Sequence, residues 1–153
     1  MLLDKIILPL SGHARIYCPK CENKNYNEKY CIKCGYNLEN VLGCFSGNIG
    51  VDLYDIELNK KYINLYRHII ERAPDGPGEY HERLAPRTLS LGSIRNMRLS
   101  TCKTLLIFPK PCLKFEYGRD TIEFKMSRKD LNQVGKILST GVYDKLISQN
   151  SSK

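Results

Sequence analysis

Hydrophobic and polar residues alternate most regularly between residues 113 and 126. The apolar positions in this stretch are Leu113, Phe115, Tyr117, Ile122, Phe124 and Met126. Charged residues separate most of them, and Gly118-Arg119-Asp120 lies in the middle as a turn sequence. A period of two with a central turn predicts an antiparallel hairpin that buries one face.

The hydrophobic period lengthens after this hairpin. Four apolar residues would share one face of a helix, namely Leu131, Val134, Ile137 and Leu138. Ser127 is a suitable N-cap, and Asp130 three residues later completes a weak capping box. Gly141 ends or interrupts this helix, and the apolar residues from 142 to 147 predict a second short one.

Strand patterns also occupy the middle of the chain. Apolar residues alternate over 54–58 and recur over 62–69, on either side of Asn59-Lys60-Lys61, and predict a hairpin. Residues 71–88 carry a cluster of prolines and glycines and predict a long surface loop. Shorter strands are predicted at 89–94, 97–99 and 104–108, the last ended by Pro109-Lys110-Pro111.

The strongest chemical signal is a pair of Cys-x-x-Cys motifs, Cys18/Cys21 and Cys31/Cys34. Four thiolates at about 2.3 Å make a closed tetrahedral zinc site. Two disulfides, a single redox pair and chance are the alternatives, and the paired spacing favours zinc. Because four protein ligands leave no open position, the motifs predict one structural Zn²⁺ ion.

This stretch resembles the short zinc ribbons that are common at the ends of prokaryotic proteins. Their pattern is Cys-Pro-x-Cys, a polar spacer, an aromatic residue, Cys-x-x-Cys-Gly and Leu, and Tyr30, Gly35 and Leu38 match its last elements. Glu22 departs from the glycine usual after the second cysteine. The resemblance covers residues 17–38 and implies a metal but little about function.

The elements after residue 48 resemble a PH-like domain, in which a bent antiparallel sheet is closed by a C-terminal helix. Residues 50–55 and 62–67 are similar to the opening strands of GRAM and GLUE members, and 89–94 to their central strand. The expected fold is therefore α+β and mostly β: an N-terminal arm at 1–12, the ribbon at 13–40 and the PH-like domain at 48–150. Gly43, Gly47 and Gly50 predict a flexible join near 40–48.

The net charge and the remaining cysteines bear on the kind of partner and on the cellular compartment. The chain of 153 residues has a net charge of +8, and Arg83 to Phe115 contains basic residues without an acid. Such a window favours an anionic partner, with ordinary solvated strands as the alternative. Beyond the four ligands, three thiols at Cys44, Cys102 and Cys112 predict a reducing, cytoplasmic compartment. No apolar run reaches the roughly 20 residues that span a bilayer.

Catalytic signals are weak, and the chain is not expected to be an enzyme. His13, His68 and His81 are scattered, and no nucleophile motif or phosphate-binding glycine loop occurs. Three acids and one histidine in the predicted loop could together bind a cation, although solvated loop charges explain them more simply. They are Asp75, Glu79, His81 and Glu82.

The PH-like resemblance implies an adaptor that binds a protein such as ubiquitin, an anionic phosphoinositide, or both, with peripheral contact at a membrane. GLUE domains combine PH-like folds with zinc modules and bind both ligands. The candidate ligand-binding residues are Lys60, Lys61, Arg67, Arg95 and Arg98. Leu65 stands where a typical PH lipid site has a further basic residue, and a plain solvated turn also explains Lys60 and Lys61.

The alternative is a nucleic-acid-binding protein with a role in transcription or translation. Four tyrosines of the ribbon could stack on bases beside lysines, namely Tyr17, Tyr26, Tyr30 and Tyr36 beside Lys20, Lys24, Lys29 and Lys33. Three acids, Glu22, Glu28 and Glu39, dilute the positive charge.

Overall fold

A computed structural model describes residues 15–26, 28–72, 76, 78–102 and 110–148. Over these residues the strands are β1 Arg15–Tyr17, β2 Lys24–Tyr26, β3 Val41–Ile49, β4 Asp52–Asn59, β5 Tyr62–Arg72, β6 Glu79–Arg83, β7 Arg87–Ser90, β8 Ile94–Cys102, β9 Lys110–Tyr117 and β10 Asp120–Lys125. The helices are α1 Arg128–Ser139 and α2 Asp144–Ser148, with a 3-10 turn at Leu91–Ser93. The expected mostly β fold with a C-terminal helix is confirmed.

The strands form one small hairpin and one large antiparallel sheet. β1 pairs with β2, and residues 15–26 and 28–40 form the segment called here the cysteine module. In the described part of the chain the large sheet has the order β6-β5-β4-β3-β10-β9-β8. β7 pairs with the first half of β5, and β6 pairs with its second half.

One face of this sheet forms the hydrophobic core. Inward side chains from adjacent strands are fully buried, among them Ile56, Leu58, Ile63, Leu113, Phe115 and Phe124. The apolar stripe of α1, formed by Leu131, Val134 and Ile137, packs into the same cluster. The hydroxyl of Tyr143, which precedes α2, donates a hydrogen bond to the Asn59 carbonyl at 2.8 Å and ties this end of the chain to the β4–β5 turn.

The other face of β4 and β5 carries buried polar groups. The alternation that places Ile56 and Leu58 in the core sends Asp55, Glu57 and Asn59 to this side, where all three are buried. Buried polar groups need hydrogen-bond partners, so this face requires a polar cover. The cysteine module supplies part of that cover.

Both hairpins and the helix cap predicted from the sequence are confirmed. β4 pairs with β5 around residues 60–61, and β9 pairs with β10 around Gly118. Ser127 caps α1, because its Oγ accepts a hydrogen bond from the Asp130 N–H at 3.1 Å. The predicted arm at 1–12 and the predicted strand at 104–108 lie outside the described residues.

The predicted flexible join near 40–48 is wrong, since β3 runs through it as a full strand of the large sheet. Gly47 serves close packing rather than flexibility. A Cβ at this position would clash with the Lys125 carbonyl oxygen and the Phe124 ring. The missing side chain therefore lets β10 approach β3 where these two strands pair.

The predicted loop at 71–88 is also wrong in part. β6 and the start of β7 lie inside it, and both pair with β5. The strand predicted at 89–94 is divided between β7, the 3-10 turn at Leu91–Ser93 and the first residue of β8. The strand predicted at 97–99 is part of β8, which has an irregularity at Asn96, where φ is positive at 60°. Non-local pairing with β5 and β9 decided these segments, and their local composition did not reveal it.

Phe115→Ala and Phe124→Ala test the assignment of the core face. Each is expected to lower the free energy of unfolding by about 3–5 kcal/mol, because a buried ring is lost and a cavity remains. Urea denaturation followed by circular dichroism measures this change. Val51→Ala is the control, because Val51 is 96% exposed, and it should stay within about 0.5 kcal/mol. Equal effects of core and control variants would contradict the assignment.

Candidate metal centre and its contact with the sheet

The cysteine module contains the same short structure twice. Tyr17-Cys18-Pro19-Lys20-Cys21-Glu22 and Tyr30-Cys31-Ile32-Lys33-Cys34-Gly35 fold into equivalent turns, called here the two knuckles. In each, the N–H of the sixth residue donates to the carbonyl of the first cysteine, at 2.8 Å in the first knuckle and 2.9 Å in the second. The sixth residue has a positive φ in both, 67° at Glu22 and 81° at Gly35. Glu22 thus adopts the backbone conformation that glycine takes in the second knuckle.

Backbone N–H groups point at the sulfur of the first cysteine in each knuckle. The N–H of Lys20 lies 3.4 Å from Cys18 Sγ, and the N–H of Lys33 lies 3.4 Å from Cys31 Sγ. The Asn25 side-chain amide donates to Cys31 Sγ at 3.5 Å. Burial by itself would raise the pKa of Cys31, but hydrogen bonds from Cys34, Lys33 and Asn25 outweigh it and lower the pKa to about 6. At Cys31 this environment favours the thiolate that a metal requires, whereas burial raises the pKa of the Cys18 and Cys21 thiols.

The four sulfurs converge on one point. All lie within 4.8 Å of one another, with Cys18 to Cys34 at 3.6 Å and Cys21 to Cys31 at 3.5 Å. A tetrahedral centre with bonds of about 2.3 Å has sulfur separations of roughly 3.8 Å, so the arrangement fits a metal ion such as zinc. The predicted ligand set is therefore brought together. All four positions of such an ion would be filled by protein, which suits a structural role.

Tyr36 joins the cysteine module to the sheet. Its hydroxyl lies 3.1 and 3.2 Å from the two carboxylate oxygens of Glu57, and 3.2 Å from the Tyr62 hydroxyl. Glu57 is 0% exposed. Desolvation of the Tyr36 phenol, reinforced by the Tyr62 hydroxyl and the Glu57 charge, raises the pKa of Tyr36. The phenol therefore remains a hydrogen-bond donor to the buried carboxylate.

Side chains of β4 itself and of β5 complete the hydrogen bonding of Glu57. Donors from Asn59, Asn64 and Tyr66 lie between 3.0 and 3.2 Å from its oxygens. A carboxylate removed from water is strongly destabilising unless several hydrogen bonds compensate it. Glu57 is thus a structural group that needs both the sheet and the cysteine module.

A second polar cluster lies on the same face, where Asp55, His68, His81 and Arg83 meet. Asp55 accepts from the Ser46 hydroxyl at 2.7 Å and lies 2.9 Å from His68 Nε2, while His68 Nδ1 lies 2.8 Å from His81 Nε2. The Arg83 guanidinium stacks over the Tyr66 ring at 3.8 Å. Arg83 Nε lies 3.4 Å from Asp55, and Arg83 NH1 donates to the Lys20 carbonyl at 3.3 Å.

Sequence reasoning missed this cluster and grouped His81 with loop acids instead. Asp75 and the side chain of Glu79 lie outside the described residues, and His81 contacts His68 instead. The sequence feature that could have indicated this cluster is the polar alternation along β4 and β5, which places Asp55 and His68 on the face away from the core. Their meeting depends on strand register, which the pattern does not reveal.

The five basic residues predicted to bind a ligand are dispersed. Lys60 and Lys61 are exposed in the β4–β5 turn, and Arg67 pairs with Asp52 at 3.4 Å. Arg95 lies near the far edge of the strand order, 3.4 Å from Glu116 and 2.9 Å from the Gly118 carbonyl. Arg98 donates to the Asn96 carbonyl at 2.7 Å. Their role in ligand binding stays a prediction.

Acids from other segments neutralise much of the basic window at 83–115. Arg83 faces Asp55, and Lys114 lies 3.3 Å from Glu123. A hydrogen bond from Asn96, reinforced by the charge of Arg95, lowers the pKa of Glu116. The window is acid-free in sequence but not in space.

The three cysteines outside the metal centre do not form one group. Cys102 and Cys112 are bonded to each other across β8 and β9, with their Cα atoms 6.0 Å apart. The prediction of three spare thiols is therefore wrong, and the compartment inferred from it loses that support. Cys44 carries a thiol, and burial, followed by the nearby charge of Asp55, raises its pKa.

The fold and the cysteine site together define the class of this protein, which is mostly β with a four-cysteine module docked on one face of its sheet. In comparisons with known proteins the chain matches no family model, no curated protein and no solved structure. Among the residues that the structure describes, none of the helices has the length and apolar character needed to cross a bilayer.

Cys31→Ser tests the metal centre. The variant is expected to lose bound zinc and the dispersed amide signals of residues 15–40, because metal binding supplies much of the folding free energy of such small modules. Elemental analysis and amide NMR measure both effects. Cys44→Ser is the matched control and should keep one equivalent of zinc. A variant that retains its zinc and its amide dispersion would refute the assignment.

Tyr36→Phe tests the link between module and sheet. It removes the hydroxyl that donates to Glu57 and should lower the free energy of unfolding by about 1–3 kcal/mol, because a buried carboxylate loses a donor. Chemical denaturation of the zinc-loaded protein measures the loss. Tyr17→Phe makes the same chemical change on a side chain that is 46% exposed and should have little effect. Equal stability of the two variants would show that the Tyr36 contact does not matter.

Proposed function

We propose that this is a non-catalytic binding protein, an adaptor in which a zinc-ribbon module presents a contact surface from a PH-like β domain. One observation carries the proposal. The module, although anchored to the sheet through Tyr36, exposes apolar side chains, with Ile32 at 73%, Tyr30 at 53% and Tyr17 at 46%. Apolar side chains exposed on so small a module offer contact area to a partner.

The strand order supports the PH-like part of the proposal. The sheet contains two antiparallel series, one formed by β3, β4, β5 and β7 and the next by β8, β9 and β10. Helix α1 packs on the core face. Fold alone does not assign function, so the argument about partners depends on surfaces.

We propose no catalytic role for the buried ionisable groups, because hydrogen bonds within the fold account for them. Asp55, Glu57 and His68 each contact several groups of the fold itself, as hydrogen-bonded structural residues do. Internal bonding of this kind accounts for these groups without a substrate.

Two ligand classes follow from the PH-like resemblance. A ubiquitin-like protein suits the apolar exposure at Tyr30 and Ile32, since protein interfaces have apolar centres. A phosphoinositide is less well supported, because Arg67, Arg95 and Arg98 are dispersed and engaged with groups of the protein. Single-stranded nucleic acid is the alternative to these two ligand classes, and the lysines beside the exposed tyrosines favour it.

Amide NMR of the zinc-loaded protein tests the proposal. Ubiquitin, phosphatidylcholine vesicles with and without phosphatidylinositol bisphosphate, and a short oligonucleotide are added in separate titrations. At least one is expected to shift signals of residues 17–38, and Ile32→Ser should weaken that response while Val51→Ser, an equally apolar exposed position, leaves it unchanged. No response to any of them, or a response insensitive to Ile32→Ser, would count against the module as the contact surface.

A further inference from the structure

We propose that the two knuckles form a binding surface for single-stranded nucleic acid, to which each contributes one tyrosine and one lysine. This inference rests on the proposed function, in that the cysteine module is taken as the contact surface of a binding protein. It goes further by naming the partner class and the four residues that recognise it, Tyr17, Lys20, Tyr30 and Lys33.

The duplication of the knuckles places the same two side chains twice on one rigid unit. Tyrosine precedes the first cysteine of each knuckle, and lysine precedes the second. All four side chains are exposed. Because the sulfurs of both knuckles lie within 4.8 Å of one another, bound metal would hold the two tyrosines at a fixed separation. A surface ordered before binding loses less conformational entropy on association.

A nucleic acid strand repeats the complementary chemistry. Every nucleotide carries one aromatic base, which can stack on a tyrosine, and one phosphate, which attracts a lysine. A repeated tyrosine and lysine therefore match successive units of a polymer that repeats a base and a phosphate. The surface of a folded protein does not regularly repeat an aromatic ring and an anionic group. Nucleic acid is therefore favoured over protein as the partner.

The charges around the knuckles agree with an anionic strand. Two of the three carboxylates of the module face basic side chains: Glu39 lies 3.9 Å from Lys29, and Glu22 lies 3.9 Å from Arg83. Lys24 adds a third ammonium group beside a stacking residue, with its Nζ 5.7 Å from the centre of the Tyr17 ring. Arg83, which belongs to the sheet, therefore offsets one of the acids counted from sequence, while Glu39 is balanced by a lysine of the module itself.

Fluorescence anisotropy of the zinc-loaded chain of 153 residues tests the inference. The probes are labelled oligothymidine and oligouridine of about 12 nucleotides, within the range of small single-strand-binding domains. Affinity is expected to fall with salt. The double variant Lys20→Gln, Lys33→Gln should reduce the slope of log affinity against log salt by about 1.4, since each phosphate contact on a single strand contributes about 0.7. Lys129→Gln, Lys136→Gln removes the same charge from exposed positions of α1 and should leave the slope almost unchanged.

Stacking has its own pair of variants. Tyr17→Ala and Tyr30→Ala should each weaken binding roughly 5- to 150-fold, the range expected for loss of one stacked base. Tyr17→Phe and Tyr30→Phe keep the ring and should bind like the parent protein. Zinc content and amide dispersion are measured for every variant, so that a loss of fold is recognised separately.

Three results would overturn the inference. They are no binding of either probe at low salt, equal slopes for the two lysine variants, and equal affinities for the alanine and phenylalanine variants. Ubiquitin is titrated in parallel. Ubiquitin shifts at residues 17–38 without oligonucleotide binding would refute nucleic acid as the partner and keep the module as a protein-binding surface. Silence with both would count against the proposed function as well.

Discussion

The buried carboxylate of Glu57 is the constraint on which the arrangement of this protein depends. The strand pattern that places Ile56 and Leu58 in the core leaves Glu57 no position other than the opposite face. There it is removed from water, so it must be surrounded by donors. The sheet supplies three of them, and Tyr36 of the cysteine module supplies the fourth. Docking of the module thus stabilises the sheet by completing the hydrogen bonds of this carboxylate.

The cysteine module depends on the sheet for related reasons. Its own buried cluster consists of Cys18, Cys31, Leu38 and Val41, and Val41 already belongs to β3. Such a cluster is too small to fold a segment alone, so contact with the sheet stabilises the module, and a bound metal ion would stabilise it further. Once these are in place, the module has no need of Tyr17, Tyr30 and Ile32 in a core, and they remain exposed.

Basic residues show how sequence and space differ in this chain. The window at 83–115 contains no acid, yet Arg83 faces Asp55 and Glu22, and Lys114 faces Glu123. The knuckles show the reverse at Glu22, an acid that dilutes their charge in sequence but faces Arg83 of the sheet in space. The surface with the clearest chemistry for an anionic polymer is therefore the cysteine module rather than the most basic stretch.

The sequence by itself determined the features that depend on neighbours along the chain. The spacing of the cysteines defined the ligand set, and alternation defined the hairpins around residues 60 and 118. The Ser127 cap and the stripe of α1 also followed from local patterns. All of these are governed by interactions within a few residues, or by the fixed periods of strands and helices.

Tertiary structure decided everything that depends on which distant segments meet. β3 runs through a glycine-rich stretch because β10 needs close access at Gly47, and β6 forms within an expected loop because β5 offers it a partner. Contact across the fold also pairs Cys102 with Cys112, gives His68 its two polar neighbours and sets Tyr36 on Glu57. Strand order and register fix these contacts, and neither is encoded in the residues of any single segment.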